Sequence, residues 1–417
     1  MSTPTSTDDL LIEKLLTHLK AEGYSDRIQR WYPQRARCFL DYCKGNALPI
    51  EAVRSAHVEQ FLRRQYQHFR RSDAESQPFR RWCHRYTGAV HMLLRLVHGR
   101  WPVAEPPTTA LETFHRDLVD DYDVWLRDLR GLRATTRTTR TMYALRFLSF
   151  LGPCGDQKSL ARLGVHEIDG YLLQHCCRGL SRASIEDLAV CLRDFLRHLH
   201  RRGCTACDLS GVVIGPRIYE HEGIPSALGA DEVRKVLEVT RSDLSPTGLR
   251  DYAILMLLAT YGLRAAEIVR LRLQDIDWRR DILRVCHAKT GTRSELPLMT
   301  EPGDALLRYL EKGRPYSTHR EVFLRVLVPH RPFKNGSILN CITGARLRAA
   351  GVVPQGRKGP HAFRHARAVN LLRSGVSLKI IGDVLGHTTA QATAEYLKLA
   401  TEDLRAIGLE LPSGVSP

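Results

Sequence analysis

The stretch DYAILMLLATYGLRAAEIVRLRLQDIDWRRDILRVCHAKTGTRSELPL, residues 251–298, decides the fold class. Residues 251–261 are apolar and predict a helix, which Gly262 ends. A second helix is predicted from Ala265 to about Leu271. Residues 281–298 then read as two short strands around a Thr290–Gly291 turn. Helical patterns resume and dominate to the end of the chain. This part of the protein is therefore expected to be mostly helical, with one small antiparallel sheet.

Upstream, two further blocks are helical by pattern. The segment from Ser184 to Leu199 puts Ile185, Leu188, Leu192, Phe195, Leu196 and Leu199 at helical spacing, with Arg193 and Arg197 between them. That is an amphipathic helix with a basic outer face. The two blocks also echo one another. RCFLDYC (37–43) resembles LRFLSFL (145–151), HVEQFL (57–62) resembles EIDGYL (167–172), and AVHMLLRLVH (89–98) resembles AVCLRDFLRH (189–198). The order is kept, which suggests a diverged duplication of one helical module. Pro102, Pro106 and Pro107 mark one junction; Gly211, Gly215, Pro216, Gly223 and Pro225 mark another.

Composition narrows the function. At 417 residues the chain is long enough for two or three domains. Hydrophobic residues make up 43%, which excludes wholesale disorder. Basic residues outnumber acidic ones by 62 to 45, a formal charge of +17, and nucleic acid is the first candidate partner. The polar start, Met1 to Leu10, lacks a signal-peptide pattern. The most apolar run, Tyr252 to Tyr261, is about half the roughly 20 residues of a membrane span. A cytoplasmic protein with no membrane role is expected, its eleven cysteines reduced. Cys204 and Cys207, with His198 and His200 upstream, have no second C-x-x-C to complete a zinc site. They read as a helix end and a loop at Gly203, and no metal is expected.

Four patterns in the last block carry chemistry together. They are TYGLRAAEI (260–268) with Arg264 and Glu267, Lys289 at the hairpin turn, HAFRH (361–365), and LGHTTAQATAEYLKL (385–399) with His387 and Tyr396. Each has a bland meaning alone: a surface arginine, a hairpin tip, a helix start, a core tyrosine. Together they fit transfer of a phosphodiester. Such a transfer needs fixed positive donors on the non-bridging oxygens. Arginine suits this, because its planar fork grips two oxygens and stays charged. Arg264 and Arg364 would form that clamp, and His387 would add a hydrogen bond. A tyrosine nucleophile, with a free pKa of about 10, needs its proton removed, and a nearby histidine can accept it. Lys289, one of only eleven lysines, would protonate the leaving oxygen.

The arrangement resembles the tyrosine recombinase (phage integrase) family. The resemblance rests on Arg264 in G-L-R-x-x-E, Lys289 in a hairpin, H-x-x-R-H at 361–365, L-G-H at 385–387 and Tyr396 nine residues after His387. It implies that Tyr396 forms a 3′-phosphotyrosyl link to DNA and that Arg264 and Arg364 hold the phosphate. It further implies that Lys289 protonates the 5′-oxygen, that His361 manages the tyrosine proton, and that His387 supports the transition state. Glu267 then buttresses its neighbours, and His365 is packing. No cofactor is required. The fold class implied is mainly α with an α+β catalytic domain. An extra N-terminal helical domain (1–105) precedes a SAM-like core-binding domain (110–207), a linker (208–223), the catalytic domain (224–411) and a tail (412–417).

The implied partner is double-stranded DNA, held in a C-shaped clamp, with Arg193, Arg197, Arg201 and Arg202 as candidate backbone contacts. A homo-tetramer on paired sites is implied, possibly with other recombinases. Leu404, Ile407, Leu409 and Leu411 would dock on a neighbouring protomer. The extra N-terminal block favours the integrase or transposase of a mobile element. The alternatives are a housekeeping recombinase that resolves chromosome dimers, a type IB topoisomerase and, from another class, a DNA-binding regulator with a dead site.

Overall fold

A computed structural model describes residues 7–72, 78–103, 105–217, 228–287, 291–354, 358–386 and 393. Lys289, His387, Tyr396 and the apolar tail lie outside the described residues, as do residues 218–223 of the expected 208–223 linker. The chain divides into two compact units. The smaller is Val103–Glu222; the larger joins Met1–Pro102 with Gly223–Pro417. Among the described residues no helix is long and apolar enough to cross a membrane.

In the larger unit the N-terminal block is helical: α1 (Thr7–Ala21), α2 (Asp26–Gly45), α3 (Ser55–Ser72) and α4 (Phe79–His98). Phe39 and Phe61 meet edge to face at its centre, with ring centroids 5.0 Å apart. Glu22, just past α1, forms an ion pair with Arg331 of the C-terminal block.

The smaller unit contains α5 (Ala110–Asp128), α6 (Ala134–Leu151), α7 (Gln157–Leu160), α8 (Val165–Cys177) and α9 (Arg182–Arg201). The six apolar residues predicted for the inner face of α9 are all buried. The helix ends as expected before Gly203, whose φ of 69° relieves the turn.

Burial follows the internal echo. Phe39, Leu40 and Cys43 are buried in α2, and Phe147, Leu148 and Leu151 occupy the same steps of the α6 segment. Val58, Phe61 and Leu62 in α3 correspond likewise to Ile168, Tyr171 and Leu172 in α8. The third pair needs a shift of two residues. Val90, Met92, Leu93 and Leu94 match Leu192, Asp194, Phe195 and Leu196, whereas Val190 is exposed.

The C-terminal block continues with α10 (Ala230–Arg241), α11 (Pro246–Tyr261) and α12 (Ala265–Arg270). Strands β1 (Ile276–Asp277), β2 (Ile282–Cys286) and β3 (Arg293–Pro297) follow, then α13 (Thr300–Arg308), α14 (Ile338–Ala349), α15 (Pro360–Arg373) and α16 (Leu378–Leu385). Helix α11 is the axis of the core, and every residue from Ala253 to Leu258 is buried. A helix apolar all round belongs inside. Ser245 caps it by accepting from the Gly248 N–H at 3.0 Å, and Pro246 fills its first turn.

The sheet is antiparallel in the order β1-β2-β3. The β2–β3 hairpin was legible in the sequence; the two-residue β1 was not. Leu283 and Val285 point inward from β2, while Arg284 pairs across the strands with Glu295 at 3.1 Å and with Asp277 at 3.0 Å. Tyr261 at the end of α11 ties down the sheet. Its hydroxyl donates to the Pro297 carbonyl at 2.8 Å and accepts from the Met299 N–H at 2.9 Å.

Candidate active site

The G-L-R-x-x-E motif is a helix break followed by a helix start. Gly262 closes α11 with a φ of 64°. A Cβ there would lie 2.7 Å from Leu385 Cδ2, so glycine also permits the approach of α16. Arg264 precedes α12, and Glu267 reaches back to accept its backbone N–H at 2.7 Å. That is the return half of a capping box. The Glu267 side chain is fully buried, and the same carboxylate accepts from the Arg264 guanidinium at 2.9 Å. The motif thus fixes Arg264 by both its main chain and its side chain.

Arg264 also donates to the Gly386 carbonyl at 3.1 Å. Arg364, 5% exposed on α15, donates to the Leu385 carbonyl at 2.7 Å and to the Gly262 carbonyl at 2.7 Å. Both arginines therefore converge on the turn that ends α16. They come from positions 100 residues apart, and His387 is the next residue after that turn.

His361 sits in the first turn of α15, one turn before Arg364, and is exposed. His365 is 4% exposed, in keeping with packing.

One participant was missed in the sequence. His287, 2% exposed, meets Glu267 Oε1 through Nδ1 at 3.0 Å and Ser294 Oγ through Nε2 at 2.8 Å. Its signal was strand parity: residues 283, 285 and 287 share the inward face. The backbone carbonyls of Gly262, Leu385 and Gly386 carry no sequence signal at all.

In the smaller unit, most of the arginines expected to meet DNA are engaged with acids. Arg193 bonds Glu186 at 3.0 Å, Arg197 bonds Asp194 at 3.2 Å, and Arg202 bonds Asp121 at 3.0 Å. Arg201 is exposed, with no acidic partner among the described residues. His198 faces Asp121 at 3.0 Å between the rings of Tyr122 and Trp125, and burial lowers its pKa. Among the described residues no cluster of three or more His, Cys, Asp or Glu is placed to hold a metal ion.

Known proteins resemble this chain in sequence and in fold. The sequence profile of the Phage integrase family matches residues 226–403. The "Putative integrase/recombinase y4gC" of Sinorhizobium fredii (strain NBRC 101917 / NGR234) is 52% identical over 189 residues, 45% of this chain and 97% of that protein. Tyrosine recombinase XerC of Pelotomaculum thermopropionicum (strain DSM 13744 / JCM 10971 / SI) is 30% identical over 58% of this chain and 79% of its own. In fold, a crystal structure of a lambda integrase dimer bound to a COC′ core site superposes with a TM-score of 0.52. It is 20% identical and covers 67% of this chain and 94% of that one. The helical C-terminal block with its small sheet is the fold of that enzyme. The chain belongs to the phage integrase family, the tyrosine recombinases.

Proposed function

We propose that this recombinase cuts and rejoins double-stranded DNA through a covalent bond between Tyr396 and a DNA phosphate, and that it serves a mobile genetic element as integrase or transposase. The observation that carries the reading is the convergence of Arg264 and Arg364 on the Leu385–Gly386 turn, directly before His387. Two arginines held by backbone carbonyls at one turn form a preorganised anion site.

The Tyr396 hydroxyl gives its proton to His361, and its oxygen bonds to phosphorus. The bond from phosphorus to the 5′-oxygen breaks, and Lys289 supplies the proton to that oxygen. Arg264, Arg364 and His387 bear the charge on the non-bridging oxygens. The phosphotyrosyl bond conserves the energy of the broken phosphodiester, so a 5′-hydroxyl from a partner strand can reverse the step. No nucleotide cofactor is consumed.

A homo-tetramer on two paired sites follows from the need to exchange four strands. The matching burial of α2, α3 and α4 with α6, α8 and α9 supports the N-terminal block as a diverged copy of the smaller unit's helical module. Its addition to a minimal two-domain chain favours the mobile-element role over resolution of chromosome dimers.

The test uses nicked suicide duplexes from the flanks of the protein's own gene. Wild type is expected to form a covalent adduct on a denaturing gel, and Tyr396→Phe none. An adduct that persists in Tyr396→Phe would remove Tyr396 from the role of nucleophile.

A further inference from the structure

The N-terminal block has no part in the step above, and its charge is arranged differently from that of the module it echoes. Setting Val90, Met92, Leu93 and Leu94 against Leu192, Asp194, Phe195 and Leu196 fixes the register of α4 on α9. In that register the three acids of α9, Glu186, Asp187 and Asp194, fall on His84, Arg85 and Met92. Helix α4 has four arginines and no acid. In α9, Arg193 and Arg197 are paired with Glu186 and Asp194. The arginines of α4 meet no acid among the described residues. The ion pairs inside the block use other members: Arg37 with Asp9, Lys44 with Asp8 and Arg63 with Glu59.

Aromatic rings take the place of the acids. On α2, Arg27 and Arg35 each lie one turn from Trp31 and stand over its ring, at 5.0 and 5.6 Å. Arg35 also lies 4.3 Å over Tyr86 of α4. Tyr86 packs on Trp82 at 5.2 Å, and Trp82 on Phe69 of α3 at 5.7 Å. Arg85 lies over Phe69 at 5.5 Å. Three helices thus share one ladder of rings and guanidiniums. Arg27 and Arg85 are exposed and Trp31 is 45% exposed, so the ladder opens to solvent. A guanidinium laid on a ring keeps its charge and the N–H donors at its edge. It is already ordered, so it loses less freedom when it meets an anion.

We infer that this face of the N-terminal block is a further binding surface for double-stranded DNA, gripping the phosphate backbone through Arg27, Arg35 and Arg85. Planar forks fit phosphate oxygens. Among the described residues of the block, only Leu10 and Trp31 are large apolar side chains left exposed. The face therefore lacks the apolar centre of a protein interface. A single strand would stack its bases on open rings, but two guanidiniums already stand over Trp31. Contacts to phosphates position the duplex without choosing its sequence. The inference is independent of Tyr396, because it is read from binding without cleavage.

The full-length protein is titrated onto a fluorescent duplex of arbitrary sequence over a series of salt concentrations. Each phosphate contact contributes about 0.9 to the slope of log affinity against log salt. Arg27→Gln, Arg35→Gln and Arg85→Gln combined should therefore lower the slope by about 2.7. Arg37→Gln and Arg63→Gln combined remove charges that acids already neutralise, and should lower it by less than about 1.

An unchanged slope in the triple variant overturns the inference. So does an equal drop per substitution in the two sets, which would mean that net charge acts and this face does not. A greater loss of affinity for single-stranded DNA than for duplex would assign the face to base stacking and overturn the duplex reading. If the triple variant fails to fold, Arg81→Gln carries the test. Arg81 is exposed, lies one turn before Arg85 and stacks on no ring among the described residues. Its loss should lower the slope by about 0.9, and an unchanged slope there overturns the inference as well.

Discussion

Glu267 in the larger unit and Asp194 in the smaller are both nearly sealed from solvent, with side chains 0% and 5% exposed. Each gathers basic side chains. Glu267 takes Arg264 and His287. Asp194 takes Arg140 and Arg197, with Arg130 at 3.9 Å. Yet the two clusters face different things. Arg264 spends another nitrogen on the Gly386 carbonyl, at the turn leading into His387. Asp194, on α9, binds Arg140 of α6 and so joins two helices of one bundle. A buried ion pair is weak evidence of function by itself. In the proposed mechanism, what separates the two is that the arginine held by Glu267 also faces the phosphate on which charge develops.

The largest expected effect tests the first half of that comparison. Glu267→Ala frees the Arg264 guanidinium and leaves His287 without its acceptor. Loss of one preorganised donor costs roughly 10²–10³-fold in rate, and a fall of that size is expected in single-turnover cleavage of the suicide duplex. Glu267→Gln keeps the shape and one acceptor, and should lie between that variant and wild type. Should Glu267→Ala lower the melting temperature but cleave at the wild-type rate, Glu267 would be no different in kind from Asp194.

The second half predicts the opposite pairing of effects. Asp194→Ala strands Arg140, whose side chain is only 15% exposed. Breaking a buried pair by removing one partner costs about 3–5 kcal/mol. The melting transition of the protein should fall accordingly, by calorimetry. On saturating DNA, below that transition, the cleavage rate per folded molecule should match wild type. A rate loss as large as that of Glu267→Ala would erase the distinction.

The same contrast explains what the sequence made legible. Helix α11 and its stop at Gly262 follow from apolar content and a glycine, both local signals. The six buried positions of α9 follow from helical periodicity, and the β2–β3 hairpin from strand alternation around a turn. Arg264 and Arg364 stood out in the sequence as candidates for a phosphate clamp, by residue type and spacing. How they meet the turn was not legible, because the carbonyls they bond lie 122 residues from Arg264 and 102 and 21 from Arg364, and any sequence offers main-chain carbonyls. His287 was overlooked because its neighbour in space, Glu267, is 20 residues distant and on another element. The smaller unit's arginines read as one basic face, since nothing local shows that Asp121, 81 residues before Arg202, returns to meet it.

A basic face on paper overstates the charge offered to DNA when its members are already paired. Arg202 shares Asp121, and Arg193 shares Glu186, so each brings less than a full charge to a phosphate. Arg201 is exposed and meets no acid among the described residues. If this helix end contacts the DNA backbone, Arg201 releases the most counterion. Arg201→Ala should then lower the slope of log affinity against log salt by about 1, uniformly across sequences. Arg193→Ala and Arg202→Ala should lower it by less, since each also frees an acid that repels the phosphates. A slope unchanged by Arg201→Ala, but lowered by Arg202→Ala, would mean that DNA displaces Asp121 from its partner. Pairing in the free protein would then be no guide to which arginines bind.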